Sequence, residues 1–294
     1  MNAAGGLGAL LESRPVPPRR RPLPAPDPEA LRALAADIPA APGIYIFHGD
    51  NDQLPLYIGK SVNLRARVLS HLRNRRERRM LAQTRRISHV VTTGEVGALL
   101  LEAQLIKERY PLLNKRLRRK GRLCSLLLPP GGRPEVVFAQ DVDFARTPAL
   151  HGLFTSRAAA LGALEALADE QRLCLGLLGL ERLAAGRPCF RSMLDRCAGA
   201  CCGRETADTH DQRLRDALQH LALACWPHAG AVGLVERDGG RVQVHAVRNW
   251  CYLGSADSVE EARRLDRVAA SFDADSYKIL CRPLLSGTHE LVTL

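Results

Sequence analysis

Apolar positions along the chain recur with two periods, near two and near 3.6 residues, and the switches between them mark its elements. Short β-prone runs at 43–47 and 56–58 flank the turn-rich stretch His48-Gly49-Asp50-Asn51-Asp52, which predicts an antiparallel hairpin. Leu64, Val68 and Leu72 form one stripe of a helix predicted over 61–72 with Ser61 as its cap. A third strand is expected over 88–92, then an amphipathic helix over 95–109 stopped by Tyr110-Pro111. This order, β-β-α-β-α, describes a small α/β domain.

Farther on, the pattern predicts strands at 123–128 and 135–138 around a Pro-Gly turn, then helices at 156–173 and 209–225. A hairpin around Asp238-Gly239-Gly240, a helix over 258–270 and a strand near 278–283 complete the expectation. At the other end, residues 1–28 hold seven of the 18 prolines and the run Arg19-Arg20-Arg21, a composition that predicts a flexible tail. A helix over 28–36, capped by Asp27, would lead out of it. The whole reads as a mixed α/β (α+β) chain in four parts: a tail at 1–28, a first domain at 29–120, a linker and cysteine-bearing domain at 121–226, and an α+β region at 227–294.

Charge changes this picture by its placement. Between Lys60 and Arg122 there are 18 Lys/Arg and four acids, a local excess of +14 in a chain whose net charge is +11. A solvated face is the ordinary explanation of a charge run, but such concentration favours a polyanion, since each neutralised phosphate releases counterions. Aromatics are scarce there, so a duplex backbone is expected rather than stacked single strands. Arg65, Arg73, Arg75, Arg76, Lys115, Arg118, Arg119 and Lys120 are the candidate DNA contacts. Apolar runs fall short of the ~20 residues that span a bilayer, and the N-terminus has no apolar secretory core, so the expected setting is cytoplasmic, away from membranes.

Glu102 is the residue in this segment that demands an explanation. Its helical neighbours at i−4, i−3, i+3 and i+4 are Ala98, Leu99, Leu105 and Ile106. A carboxylate among them is driven toward its neutral form unless a cation or a donor compensates it. It is either a glutamate at the stripe's edge reaching water or an arginine, or a ligand for a divalent ion that keeps its waters, as Mg²⁺ does. Tyr45 and Tyr57 sit in the two hairpin strands and can share a face, though strand tyrosines are as often core. Arg67 alone reads as a solvated arginine. Among nine cysteines, Cys174, Cys189, Cys197 and Cys201 are grouped at ligand-like intervals, with Cys202 as the substitute ligand. They are either ordinary buried cysteines or a four-thiolate metal site, iron–sulfur or zinc. The irregular intervals, without paired CxxC knuckles, disfavour a zinc ribbon. The remaining cysteines are scattered, and a cytoplasmic disulfide framework is not expected.

Taken together, Gly43-Ile44-Tyr45, Tyr57-Ile58-Gly59-Lys60, Arg67, Glu102 and Asn114 resemble the full motif set of the GIY-YIG endonucleases. Leu100-Leu101-Glu102-Ala103 and Pro111-Leu112-Leu113-Asn114 resemble the UvrC branch in particular, and the likeness covers about 38–205. It implies hydrolysis of a phosphodiester with one Mg²⁺ or Mn²⁺ held by Glu102. Arg67 would stabilise the phosphate's developing charge, and a tyrosine, Tyr57 ahead of Tyr45, would activate water. Lys60 would lower that tyrosine's pKa, Gly59 would let the backbone approach DNA, and Asn114 would orient a neighbour or a water. His71 is an outside candidate for the base, expected instead to face solvent beside Arg73. Arg187-Pro188-Cys189 resembles the UvrC segment in which four cysteines hold a [4Fe–4S] cluster, although the interval after Cys174 is longer than that family's. The resemblance implies incision of damaged duplex DNA on the 3′ side of a bulky lesion, marked by UvrA and UvrB. With no room after residue 294 for a second nuclease domain, a single incision is expected, the 5′ cut falling to another enzyme. The rivals are a GIY-YIG nuclease for other branched or mismatched DNA, and a non-catalytic iron–sulfur protein that binds DNA.

Overall fold

The computed structural model describes residues 27–51, 53–114, 122–183, 187–265 and 272–294. The Pro/Arg-rich stretch 1–26 and the basic positions Lys115, Arg118, Arg119 and Lys120 lie outside them.

Helix α1 (Pro28–Ala33) is capped as expected, with the Asp27 carboxylate accepting from the Glu29 N–H. Strands β1 (Gly43–His48) and β2 (Tyr57–Ser61) then pair antiparallel, with Tyr45 opposite Gly59 and Phe47 opposite Tyr57. Because β2 runs on to Ser61, that residue is strand rather than cap. Asn63 caps α2 (Leu64–Arg73) instead, its side chain accepting from the Ala66 N–H at 2.9 Å. A 3-10 turn at Arg75–Glu77 and the short α3 (Arg78–Leu81), neither expected from the pattern, lead to β3 (Arg86–Val91). This strand pairs with β1, giving the order β2-β1-β3, and α4 (Glu95–Arg109) follows.

Pleating sends alternate side chains of β1 and β2 to opposite faces of this sheet. Tyr45, Phe47 and Tyr57 pack with Leu64 and Val68 of α2, while Ile44, Ile46 and Ile58 pack with Leu101, Leu105 and Ile106 of α4. Here β2 is an edge strand whose outward backbone groups need partners. Leu113 N–H donates to Leu56 O, and the Asn114 side chain accepts from Ile58 N–H at 2.9 Å and donates to Ile58 O at 2.7 Å.

A second sheet, order β5-β4-β6, is made by β4 (Cys124–Leu127), β5 (Glu135–Phe138) and β6 (Leu150–Phe154), and packs against α5 (Arg157–Glu170). The third strand was not expected. After α6 (Phe190–Met193) comes α7 (Ala207–Gln219), which stops short of the predicted end at 225. The chain there turns extended to satisfy the outer edge of β6: Gly152 N–H donates to Leu221 O and Leu223 N–H to Leu150 O.

The last unit is a four-stranded antiparallel sheet, order β10-β7-β8-β9, from β7 (Val232–Asp238), β8 (Arg241–Arg248), β9 (Cys251–Ala256) and β10 (Glu290–Thr293). Between β9 and β10 lie α8 (Val259–Leu265) and α9 (Ala274–Leu285). The strand expected near 278–283 is therefore a helix. Its buried Tyr277, Leu280 and Leu284 follow the helical period, and Asp273 caps it. Pro283 sits in its last two turns, where the missing N–H costs one intrahelical bond. No helix among the described residues is long and apolar enough to cross a membrane.

Candidate active site and cysteine centre

The edge strand β2 gathers the motif residues. Its Ile58 backbone is held by Asn114, and Lys60, two residues on, acts on the Glu102 carboxylate through its charge and its backbone. Burial pushes the Glu102 carboxyl up, against the opposing pull of Lys60 charge and backbone. This is the strain on a carboxylate that its apolar neighbours led one to expect. Glu102 in turn stands near enough to Tyr57 and Tyr45 that its charge raises both phenols, although burial is the larger cause in each.

The two tyrosine rings lie 6.2 Å apart on the sheet face opposite α4. Gly59 is what lets them meet: a Cβ there would fall 2.3 Å from the Tyr45 hydroxyl and 2.9 Å from the Tyr57 ring. The glycine is thus required by the protein's own rings, a reason different from the approach to DNA that the motif suggested. Tyr45 is 1% exposed while Tyr57 is only half-buried, so Tyr57 is the one that a solvent water reaches.

His71 does not face solvent. It is 5% exposed, its Nε2 lies 2.7 Å from the Tyr45 hydroxyl, and its Nδ1 lies 2.5 Å from a Glu77 carboxylate oxygen. The pattern was available: 64, 68 and 71 are i, i+4 and i+7, and Leu64, Val68 and His71 are the buried positions of α2. Taking Leu72 as the third member of the stripe hid the histidine. Arg67, one turn earlier on the same helix, is exposed, and its Nε donates to the Tyr45 hydroxyl at 3.4 Å. Lys60 does not serve Tyr57 as expected. Its side chain points to the other sheet face, its ammonium lies 2.5 Å from Glu95, and the Tyr57 phenol is raised rather than lowered. Arg65, Arg73, Arg75 and Arg76 are all exposed on α2 and the turn after it.

Far along the chain, Cys174, Cys189, Cys197 and Cys201 come together with their sulfurs within 4.8 Å of one another. Cys174, whose interval looked too long, belongs to the group, and burial pushes its thiol up to about 12. Backbone N–H groups of Cys189 and Gly199 donate to Cys201 Sγ and Cys197 Sγ, each at 3.4 Å. Cys202 is exposed and turns its own S–H to Gly199 O.

Family models match nearly end to end: the UvrC-like GIY-YIG domain over 41–115, the UvrC/Cho excinuclease middle domain over 123–220, and the excinuclease Cho C-terminal domain over 231–294. The chain is 58% identical to excinuclease Cho of Escherichia coli (strain K12) over 267 residues, which is 91% of this chain and 90% of that one. It is 56% identical to excinuclease Cho of Salmonella typhimurium with the same 91% of this chain covered. Against UvrABC system protein C of Natronomonas pharaonis the identity is 32% over 65% of this chain and 33% of that protein. Among solved structures, the GIY-YIG domain of UvrC from Thermotoga maritima bound to magnesium is 34% identical, covering 30% of this chain and 98% of that one, with a TM-score of 0.28.

Proposed function

The chain belongs to the UvrC/Cho family of GIY-YIG excinucleases, nucleases of nucleotide excision repair, and from that premise we propose that it hydrolyses one phosphodiester on the 3′ side of a bulky lesion in duplex DNA. UvrA and UvrB would mark the site. The observation that carries the reading is the meeting of Glu102, Tyr57, Tyr45 and Arg67 at the edge strand held by Asn114.

Glu102 would hold a Mg²⁺ or Mn²⁺ ion. A half-buried carboxylate whose carboxyl burial has raised, opposed by the Lys60 charge, is a donor that a divalent cation suits. Bound there, the ion would supply positive charge against the charge that develops on the phosphate and the leaving oxygen. A cation held by Glu102 would remove that residue's repulsion of the Tyr57 phenolate, the lesser cause of the raised phenol after burial. Tyr57 then takes a proton from the attacking water while its own proton passes to Tyr45. Tyr45 gives its proton to His71 Nε2, and Glu77 at Nδ1 stabilises the imidazolium that forms. Arg67 is exposed toward solvent beside Tyr45, placed to meet the charge developing on the phosphate. The exposed arginines 65, 73, 75 and 76 would hold the DNA backbone, as would the basic positions 115 and 118–120.

The relay predicts that Tyr57→Phe and His71→Ala each slow single-turnover incision by about 10²–10⁴-fold, with DNA affinity unchanged. The double variant should be little worse than the slower single, because the two act as a unit. Incision by His71→Ala at the wild-type rate would leave the relay without its acceptor.

The four cysteines would hold a [4Fe–4S] cluster. A second reading rests on their spacing. Zn–S bonds of about 2.3 Å give sulfur–sulfur edges of about 3.8 Å, close to the packing described, whereas a four-iron cluster needs the sulfurs wider apart.

The deciding assay for the reaction is incision of a defined-lesion duplex with and without UvrA, UvrB and ATP, mapped at nucleotide resolution. One cut on the 3′ side that requires all three is expected. Equal cleavage without them, or preference for an undamaged branched duplex, would replace this reading with the partner-independent nuclease.

A further inference from the structure

Helix α4 carries Glu102 but does not cap itself. Its N-cap is Gly94, without a side chain to accept the first free N–H groups, which in most helices a Ser, Thr, Asp or Asn would satisfy. The acceptor comes instead from β7, some 140 residues later. One Glu236 carboxylate oxygen accepts from Val96 N–H at 2.9 Å and the other from Gly97 N–H at 2.8 Å. Gln243 adds an acceptor for Thr93 N–H at 3.3 Å.

This cap is itself supported. Glu236 is 9% exposed and His245 is fully buried, with Nε2 2.9 Å from the same Glu236 oxygen and Nδ1 2.6 Å from Ser255 Oγ. The Tyr252 hydroxyl lies 2.6 Å from that Ser255 oxygen. In the register of the sheet, His245 lies opposite Ser255 and diagonal to Glu236, so the three form one row across β7, β8 and β9. Burial alone would raise the Glu236 carboxyl; the bonds from His245, Gly97 and Val96 outweigh it and hold the group below its ordinary range. The glycines of α4 are cut to fit the row: a Cβ on Gly94 would stand 2.2 Å from Glu236 Oε1, and one on Gly97 would stand 2.7 Å from His245 Cε1.

At its other end, α4 is tied to the same unit by Lys107, whose ammonium lies 2.6 Å from Asp273 and 2.8 Å from Asp275 at the start of α9. Between the two grips, Val96 and Leu100 pack among Leu234, Val247 and Trp250 of the C-terminal unit. Glu102 therefore sits on a helix whose axial position is set from outside the nuclease fold.

We infer that Glu236, with His245 behind it, is a positioning residue for incision: it fixes the register of α4 along its axis and so the place of the Glu102 carboxylate at the edge of β2. The C-terminal unit is then part of the catalytic apparatus. The inference rests on the reading of Glu102 as the metal ligand. Groups that orient a metal ligand are worth about 10–100-fold in metal affinity or activity when removed.

The test uses the full chain with Mg²⁺ titrated in the incision assay. Glu236→Ala should raise the half-saturating Mg²⁺ concentration about tenfold or more while DNA affinity stays unchanged. Glu236→Gln, which keeps the shape but cannot accept from all three donors, should shift it in the same direction. Adding Gly94→Asp to Glu236→Ala should restore the wild-type Mg²⁺ dependence. The extended backbone of Gly94 suits a capping aspartate, and the space occupied by the Glu236 carboxylate is then free. In the wild-type background the same Gly94→Asp should be damaging. Wild-type Mg²⁺ dependence in the folded fraction of both Glu236 variants, whatever their melting temperature, would overturn the inference, as would failure of the second change to restore it. Glu102→Gln run alongside separates the two readings: if it cleaves normally, the metal assignment falls first.

Discussion

Glu102→Gln is expected to lose incision by about 10³-fold or more while binding duplex DNA as the wild type does. The exchange removes one charge and keeps the size, so the packing around position 102 is preserved. What would disappear is the proposed ligand for a cation whose stabilisation of the transferring phosphate would be worth several kcal/mol, and each 1.36 kcal/mol is a factor of ten in rate. In the proposed reading DNA binding would rest on other residues, the exposed arginines of α2 and its following turn. Stability should move the other way. Burial raises the Glu102 carboxyl, so the folded state holds that proton more tightly than the unfolded chain. The group therefore favours folding at low pH, and the advantage is lost as pH rises through the raised value, above which the ionised carboxylate is strained. Replacing it with an amide removes that strain, and the melting temperature at pH 7 should hold or rise. Mg²⁺ should raise the melting temperature of the wild type by binding the folded state and leave the variant unmoved. A Glu102→Gln protein that incises at the normal rate, or that Mg²⁺ still stabilises to the wild-type extent, ends the assignment.

The nuclease strands and the α4 helix were legible because their patterns are local. The β-prone runs at 43–47 and 56–58, and the apolar setting of Glu102, need no knowledge of the rest of the chain. The outlying parts fail for equally physical reasons. Pro283 reads as a helix breaker, yet near the end of α9 it costs only one bond, while Tyr277, Leu280 and Leu284 keep the helical period. The segment 220–226 has helical composition but is pulled extended by the open edge of β6, a demand made by a strand 70 residues away. At the site, Tyr45, Tyr57, Arg67 and Glu102 carry their motif with them. His71 and Glu77 do not: their role depends on the Tyr45 hydroxyl lying over the helix, a tertiary fact. Glu236 is more remote still. Its only trace in the sequence is negative, a helix that begins at Gly94 with no capping side chain.

Replacing Cys197 by Ala is expected to strip the metal from the cysteine centre and to loosen residues 172–204 without unfolding the nuclease sheet. Among the described residues this segment has little regular structure: one four-residue helix and a 3-10 turn between Cys174 and Gly203. Its own core consists of three buried cysteines with Leu177 and Cys201 packed against them. So small an apolar cluster offsets little of the ordering entropy of about 1–2 kcal/mol per residue, which is the situation in which a bound metal supplies the folding energy. The surrounding elements can hold without it: Leu164, Ala168 and Leu218 belong to the separate core under β4 and α5, and the nuclease sheet has cores of its own. The purified wild type should therefore contain about four irons with a brown visible absorption, or about one zinc and no colour if the close sulfur spacing reports a single ion. The Cys197→Ala protein should contain neither, and a protease should cut it within 172–204 while leaving 41–114 intact. Cys202→Ala, changing an exposed sulfur outside the group, should keep the metal and the protection. A metal-free wild type, prepared without oxygen, that resists the protease and incises at full rate would show the four cysteines to be packing alone.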